Sequence, residues 1–187
     1  MTHDRRSLAR TPWRTLSTRP VYVNPWLSVR EDIAETPTGR RTLYGVVVCR
    51  PAVGVLPFLD ADTVVLVGQY RYVFGRFFWE MPTGGHEAGE SELDAVAREL
   101  AEETGYRAGR FEKLCTFQSS KSVVDEVAHL YVATELAPVA RTPGGDTTEF
   151  IEVRSFPFAD AVGMVERGEI QDAMSVVAIL HAARRRR

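Results

Sequence analysis

The stretch "GGHEAGESELDAVARELAEETGY", from Gly84 to Tyr106, constrains the fold more than any other part of the chain. Ser91 with Asp94 three residues later is a capping-box arrangement that starts a helix. Gly105 is suited to ending it in a left-handed conformation. The spacing therefore predicts a helix over residues 91–104. At about 100° per residue, Leu93, Val96, Ala97 and Leu100 fall on one side and are expected to pack against a sheet. Glu99, Glu102 and Glu103 are spaced by three and four, so their carboxylates share an adjoining face. Like charges at that spacing destabilise a helix by a few tenths of a kcal/mol per pair. Bound divalent cations reverse the sign, and an all-oxygen ligand set suits Mg²⁺ or Mn²⁺. Zinc is disfavoured, since no His or Cys cluster lies near.

Extended segments surround this helix. "PVYVNPWLSVRED" and "RRTLYGVVVCR" are joined by a turn at "TPTGR", where Pro37 and Gly39 stand. "AVGVLPFL" and "TVVLVGQYR" read as buried strands, and "RFFWEMP" as a shorter aromatic one. Beyond the helix, "FEKLCTF", "VAHLYVATEL" and "FIEVRSF" are further strand candidates. "PFADAVGMVERGEIQDAMSVVAILHAA" reads as two helices broken near Gly168. The expected class is α/β, a mixed sheet sandwiched by helices, with a small separate sheet in the first fifty residues.

Composition excludes several functions. With 187 residues, 44% of them hydrophobic, the chain can bury a sizeable core without staples. Cys49 and Cys115 match no metal or redox spacing, which suits a reducing, cytoplasmic setting. Neither a membrane span nor a signal peptide is expected. A net charge of −2 argues against a dedicated nucleic-acid binder. Arginines do gather at the two ends, in "MTHDRRSLARTPWRTLSTRP" and "ARRRR". The reading favoured over an anionic partner is a frayed, solvated start and a basic helix C-terminus.

"RELAEE" alone fits any solvated helix face; the loop in front of it decides the matter. Gly84, five residues, Glu90, seven residues, then Arg98-Glu99-Leu100-Ala101-Glu102-Glu103-Thr104-Gly105 is the signature of the Nudix hydrolases, which the chain resembles at every defining position. With each fixed residue at about a twentieth of average usage, a chance match is on the order of 10⁻⁷. The resemblance implies a Nudix α/β/α sandwich and hydrolysis of a nucleoside diphosphate linked to another group. It implies Glu99, Glu102 and Glu103 as the metal shell, joined by the backbone carbonyl near Thr83. Gly84, Glu90, Arg98 and Gly105 become support for the box, with Arg98 orienting the acids and pairing with Glu90.

"LVGQYRY", "WEMPTGG", "VYVNPWLSVRED" and "RGEIQDAMSVVAIL" resemble the ADP-ribose pyrophosphatase branch, which includes nucleotide-sugar hydrolases. By that resemblance Arg71 contacts a phosphate or ribose. Residues 1–12 are expected to fray, 13–50 to form a β subdomain that makes a homodimer, and 51–187 to form the hydrolase domain. Trp13 or Trp26 is available to stack on a base, with core or interface packing the equal alternative. "FQSSKSVVDEVAHL" lacks the proline common in ADP-ribose enzymes, although the acid of Asp125-Glu126 survives, so Glu126 is carried over as a substrate contact. The substrate thus stays open between ADP-ribose and another nucleotide sugar such as GDP-mannose. For the general base or a further metal ligand, "TPGGDTTEFIEV" offers Asp146, Glu149 and Glu152; Glu149 is preferred, against a merely solvated loop.

His86 is expected to be exposed and His129 half-buried and satisfied, and no Ser-His-Asp constellation can be defended around Ser119, Ser120 and Ser122. Two other classes compete. A Nudix-fold module that binds a nucleotide without cutting it typically lacks a box carboxylate, and none is missing. An enzyme for oxidised nucleoside triphosphates fits "GQYRY" and the N-terminal extension less well.

Overall fold

The protein's structure, a computed structural model, describes residues 8–140 and 150–186. The chain divides into two compact units: residues up to 50 together with Gln118–Glu126, and the remainder.

In the first unit, β1 (Arg14–Val23), β2 (Leu27–Glu35) and β3 (Arg41–Cys49) form an antiparallel meander. The segment read as one extended run is broken at Asn24, whose side-chain oxygen accepts from the Trp26 and Leu27 amides and turns β1 into β2. β1 begins at the start of the 13–50 region expected to be β, within the arginine-bearing stretch. Arg14 and Arg19 stand opposite Glu35 and Glu31 in register and pair with them at 2.8 Å and 2.7 Å. These arginines, though solvent-exposed, are cross-strand partners on an ordered strand rather than part of a frayed terminus.

The second unit is layered. Its strands are β4 (Ala52–Pro57), β5 (Thr63–Arg71), β6 (Arg76–Glu80) and β7 (Thr83–Gly85), followed by helix α1 (Glu92–Thr104) and β8 (Tyr106–Gln118). The two-residue β9 (Val124–Asp125) belongs to the first unit, where it pairs with β3; β10 (Val127–Pro138) and β11 (Glu152–Pro157) follow in the second. Helices α2 (Phe158–Glu166) and α3 (Ala173–Arg185) close the chain. One sheet has the order β7-β4-β10-β8, with β4 and β10 parallel, and another the order β11-β5-β6.

β4 is buried on both faces, which explains its unbroken apolar run. Val53 and Val55 pack with Ala95, Val96 and Leu100 of α1. Leu56 packs the other way, with Phe158, Ala161, Ile170 and Ile179 from α2, α3 and the link between them. Helices therefore cover both sides of the sheet.

α1 has the ends its sequence called for. The Ser91 hydroxyl accepts from the Asp94 amide, and Gly105, at φ 73°, donates its amide to the Ala101 carbonyl. Its buried face differs from expectation: Leu93 is 50% exposed, whereas Ala95, Val96, Leu100, Glu103 and Thr104 are buried. Val96 and Glu103 lie one heptad apart and so share a face to within about 20°. An acid thus occupies the middle of the packed side.

Glu92, in the first turn, ties α1 to the sheet. It accepts from Lys113 Nζ and the Tyr131 hydroxyl, both at 2.6 Å, which hold its carboxyl below the ordinary range. His129 is half-buried beside them, 3.1 Å from the Thr116 hydroxyl. At the far end Arg185 bonds Glu112 and the Leu114 carbonyl, and Arg186 lies 4.2 Å above the Phe58 ring.

Candidate active site

β7 and α1 bring the box together. Gly84 sits on β7 opposite Val53, so close to α1 that a Cβ there would overlap the Glu99 carboxylate. That close approach is the physical reason for glycine at this position. One residue earlier, the Thr83 amide donates to Glu103 Oε2 at 3.2 Å. Two carboxylates one helical turn apart are thereby drawn onto consecutive residues of one strand. Glu103 is 7% exposed, and the Glu99 side chain is nearly as enclosed.

Arg98 balances these charges. Its Nε and Nη2 each donate to Glu90 at 3.0 Å, its Nη1 donates to Glu99 at 2.7 Å and reaches Glu102 at 3.4 Å, and Nη2 also donates to the Gly85 carbonyl. The two parallel bonds to Glu90 form a fork, the strongest geometry a guanidinium offers a carboxylate. They hold the Glu90 carboxyl well below its usual range, and Glu90 chiefly holds Arg98 above its own. The Glu87 amide adds a bond to Glu90 at 3.1 Å, closing the loop over the helix.

The donor chemistry fits a hard divalent cation, since the two side chains drawn onto Gly84 and Thr83, Glu99 and Glu103, offer carboxylate oxygens. Among the described residues, no three acidic, histidine or cysteine side chains stand gathered as a ready-made metal cluster. Glu149 and Asp146 lie outside the described residues, while Glu152 is exposed on β11.

Arg71, at the end of β5, is fixed by Glu80 of β6, to which its Nε donates at 3.0 Å and 3.1 Å and its Nη2 more closely. Glu80 is 5% exposed, and its carboxylate holds the guanidinium above its ordinary range. This pair was not read from the sequence, although an acid inside the aromatic run "RFFWEMP" is the signal that would have found it. Arg71, Glu80 and Thr83 share a cavity of about 400 Å³. Glu126 belongs to the first unit, where burial first, and then its charge, push the Cys49 thiol up. Trp13, edge-on to Tyr44, and the exposed Trp26 also lie there.

A layered domain that draws Glu99 and Glu103 onto the short strand before their helix, with Arg98 forked onto Glu90, has the arrangement that the box signature describes. The comparisons specify the class: the chain belongs to the Nudix hydrolase family, with the NUDIX domain model matching residues 49–176. The nucleoside diphosphate sugar hydrolase N-terminal domain model matches residues 13–47. An ADP-ribose pyrophosphatase of Bacillus subtilis is 31% identical over 89% of this chain and 90% of its own. A GDP-mannose pyrophosphatase of Klebsiella pneumoniae is 38% identical over 62% of each chain. The crystal structure of an ADP compounds hydrolase superposes with a TM-score of 0.83 at 24% identity, covering 93% of this chain and 94% of that one, and shows the shared α/β/α fold.

The Glu90–Arg98 fork has a pH signature. A carboxyl whose folded pKa is lowered stabilises the fold above its unfolded pKa, about 4.3, and that contribution is lost as pH falls through the folded value. Glu90→Gln is expected to cost about 1 kcal/mol at pH 7, the upper end for a solvent-screened pair. Urea unfolding of both proteins should show the gap closing as the pH is taken from 7 to about 3. A constant gap would show that the fork does not set the acid limb.

Proposed function

We propose that this Nudix hydrolase cleaves the pyrophosphate of a nucleoside diphosphate linked to another moiety, with ADP-ribose, giving AMP and ribose 5-phosphate, as the leading substrate. The observation that carries the reading is the convergence of Glu99 and Glu103 on Gly84 and Thr83, with Arg98 forked onto Glu90. Support for the substrate comes from the Bacillus subtilis ADP-ribose pyrophosphatase, which is similar along nearly the whole chain. The Klebsiella pneumoniae enzyme, together with a loop that lacks the proline common in ADP-ribose enzymes, favours GDP-mannose as the second reading.

In this reading Glu99, Glu102 and Glu103, the Thr83 carbonyl and Glu149 hold a divalent cation, Mg²⁺ before Mn²⁺. When bound, such a cation would supply positive charge to offset that of the diphosphate and would make a nearby water more acidic. Glu102, Glu103 and Glu149 act in catalysis, with Glu149 taking the proton of that water. A P–O bond to the water oxygen forms and the bridging P–O bond breaks. Arg98 and Glu90 keep the acids in register; Arg71 binds a phosphate or ribose oxygen, and Glu126 a further group of the substrate. No helix among the described residues is long and apolar enough to cross a membrane, and both cysteines are free, as suits a cytoplasmic setting.

The assay is chromatography of the mononucleotide released from ADP-ribose and GDP-mannose, with and without Mg²⁺. AMP from ADP-ribose, only with metal, is the expected result. GMP alone moves the enzyme to the second reading, and cleavage of neither overturns the proposal.

The domain organisation is part of the same proposal: residues 13–50 pair two copies as a homodimer, and 51–187 carry the chemistry. β1 supports this, since it is exposed along nearly its whole length and presents Val21, Tyr22 and Val23. Light scattering should give twice the 20.9 kDa chain mass, and a monomer at micromolar concentration would contradict it.

A further inference from the structure

The cavity that Arg71 shares with Thr83 has a second charged wall. Asp172, which caps α3, lines it together with Gln171, Phe74 and Phe78. Asp172 is held as firmly as Arg71. Its Oδ2 accepts from both the amide and the hydroxyl of Ser175 at 2.8 Å. Ser175 is fully buried, and its hydroxyl oxygen accepts from the Met81 amide at 2.8 Å. One hydroxyl therefore fastens the start of α3 to the strand segment that leads into Thr83 and Gly84. Among the described residues, Asp172 Oδ1 makes no hydrogen bond to the protein, and it is not a buried orphan.

Of the two aromatic rings lining the cavity, Phe78 is covered and Phe74 is 70% exposed. Phe78 is 7% exposed, with the Arg76 guanidinium 4.5 Å from its ring centre and Phe74 edge-on at 5.7 Å. Arg76 is itself held by Gln171. A nucleobase stacks on an open aromatic face; Phe78 offers none, and Phe74 is the one ring of this cavity that stands open. The charged lining is the Arg71 guanidinium, paired on one side with Glu80, and the Asp172 carboxylate across the same cavity. A guanidinium binds phosphate oxygens, and a carboxylate is the natural acceptor for sugar hydroxyls.

We propose that this cavity holds the sugar-phosphate half of the substrate, with Arg71 on its phosphate and Asp172 Oδ1 accepting from the sugar hydroxyls. Asp172 is then a specificity residue, deciding which sugar is accepted rather than which base. The proposal rests on the nucleotide-sugar reading above.

Isothermal titration calorimetry with ribose 5-phosphate, mannose 1-phosphate and AMP tests it without turnover. Asp172→Asn keeps an oxygen for Ser175 but turns a donor toward the cavity. It should weaken the preferred sugar phosphate about tenfold, the worth of one charge-assisted hydrogen bond, and leave AMP within about twofold. Asp172→Ser, which preserves the cap and removes the second oxygen, should show the same split if the first variant folds poorly. Loss of AMP binding instead would place the nucleoside in this cavity, and unchanged affinities would remove Asp172 from recognition; either overturns the proposal. Wild-type protein that cleaves a nucleotide sugar but takes up no sugar phosphate also sinks it and leaves the function standing. Uptake of sugar phosphate without cleavage of either nucleotide sugar sinks the function and leaves the cavity assignment.

Discussion

Arg98 is what allows four carboxylates to share one end of a helix and its loop. Glu99, Glu102 and Glu103 would repel one another at spacings of three and four, and Glu90 folds back onto the same surface. A single guanidinium answers three of them and a backbone carbonyl. Glu103 is answered separately, by the Thr83 amide. The absence of a side chain at Gly84 completes the arrangement, because any Cβ would evict the Glu99 carboxylate.

The layers of the second unit exist, in functional terms, to hold that strand and helix at contact distance. β4 links both sides of the sheet, sending Val53 and Val55 into α1 and Leu56 into the cluster around α2 and α3. From that second side, Ser175 grips the Met81 amide. The segment from Glu80 to Gly85 is thus held by α3 behind it and α1 in front. It carries the Arg71 clamp, the Glu103 contact and the glycine at once, so small shifts in it would be felt by every part of the site.

Much of this was legible in the residues because local rules and the box coincide. Ser91, Asp94 and Gly105 mark the helix ends by capping chemistry, and those ends hold. The buried face was harder to read. A wheel weighted by hydrophobicity puts Leu93 inward, whereas it is Glu103, one heptad after the buried Val96, that lies inward and meets the Thr83 amide. β1 was obscured by its arginines, whose partners Glu31 and Glu35 become visible only when the hairpin register is known. Ser175 to Met81 spans 94 positions and has no local signature. The acidic segment before β11, with Glu149, lies outside the described residues.

The central claim is that the acids drawn onto Gly84 and Thr83 are there to hold a divalent cation. Mn²⁺ binding followed by electron paramagnetic resonance, on wild-type protein and on Glu103→Gln, tests it most directly. The account predicts binding to the wild type and a loss of at least tenfold, about 1.4 kcal/mol, in the variant, with the melting temperature held or raised by removal of a buried charge. Equal Mn²⁺ affinity in a folded Glu103→Gln protein would contradict it.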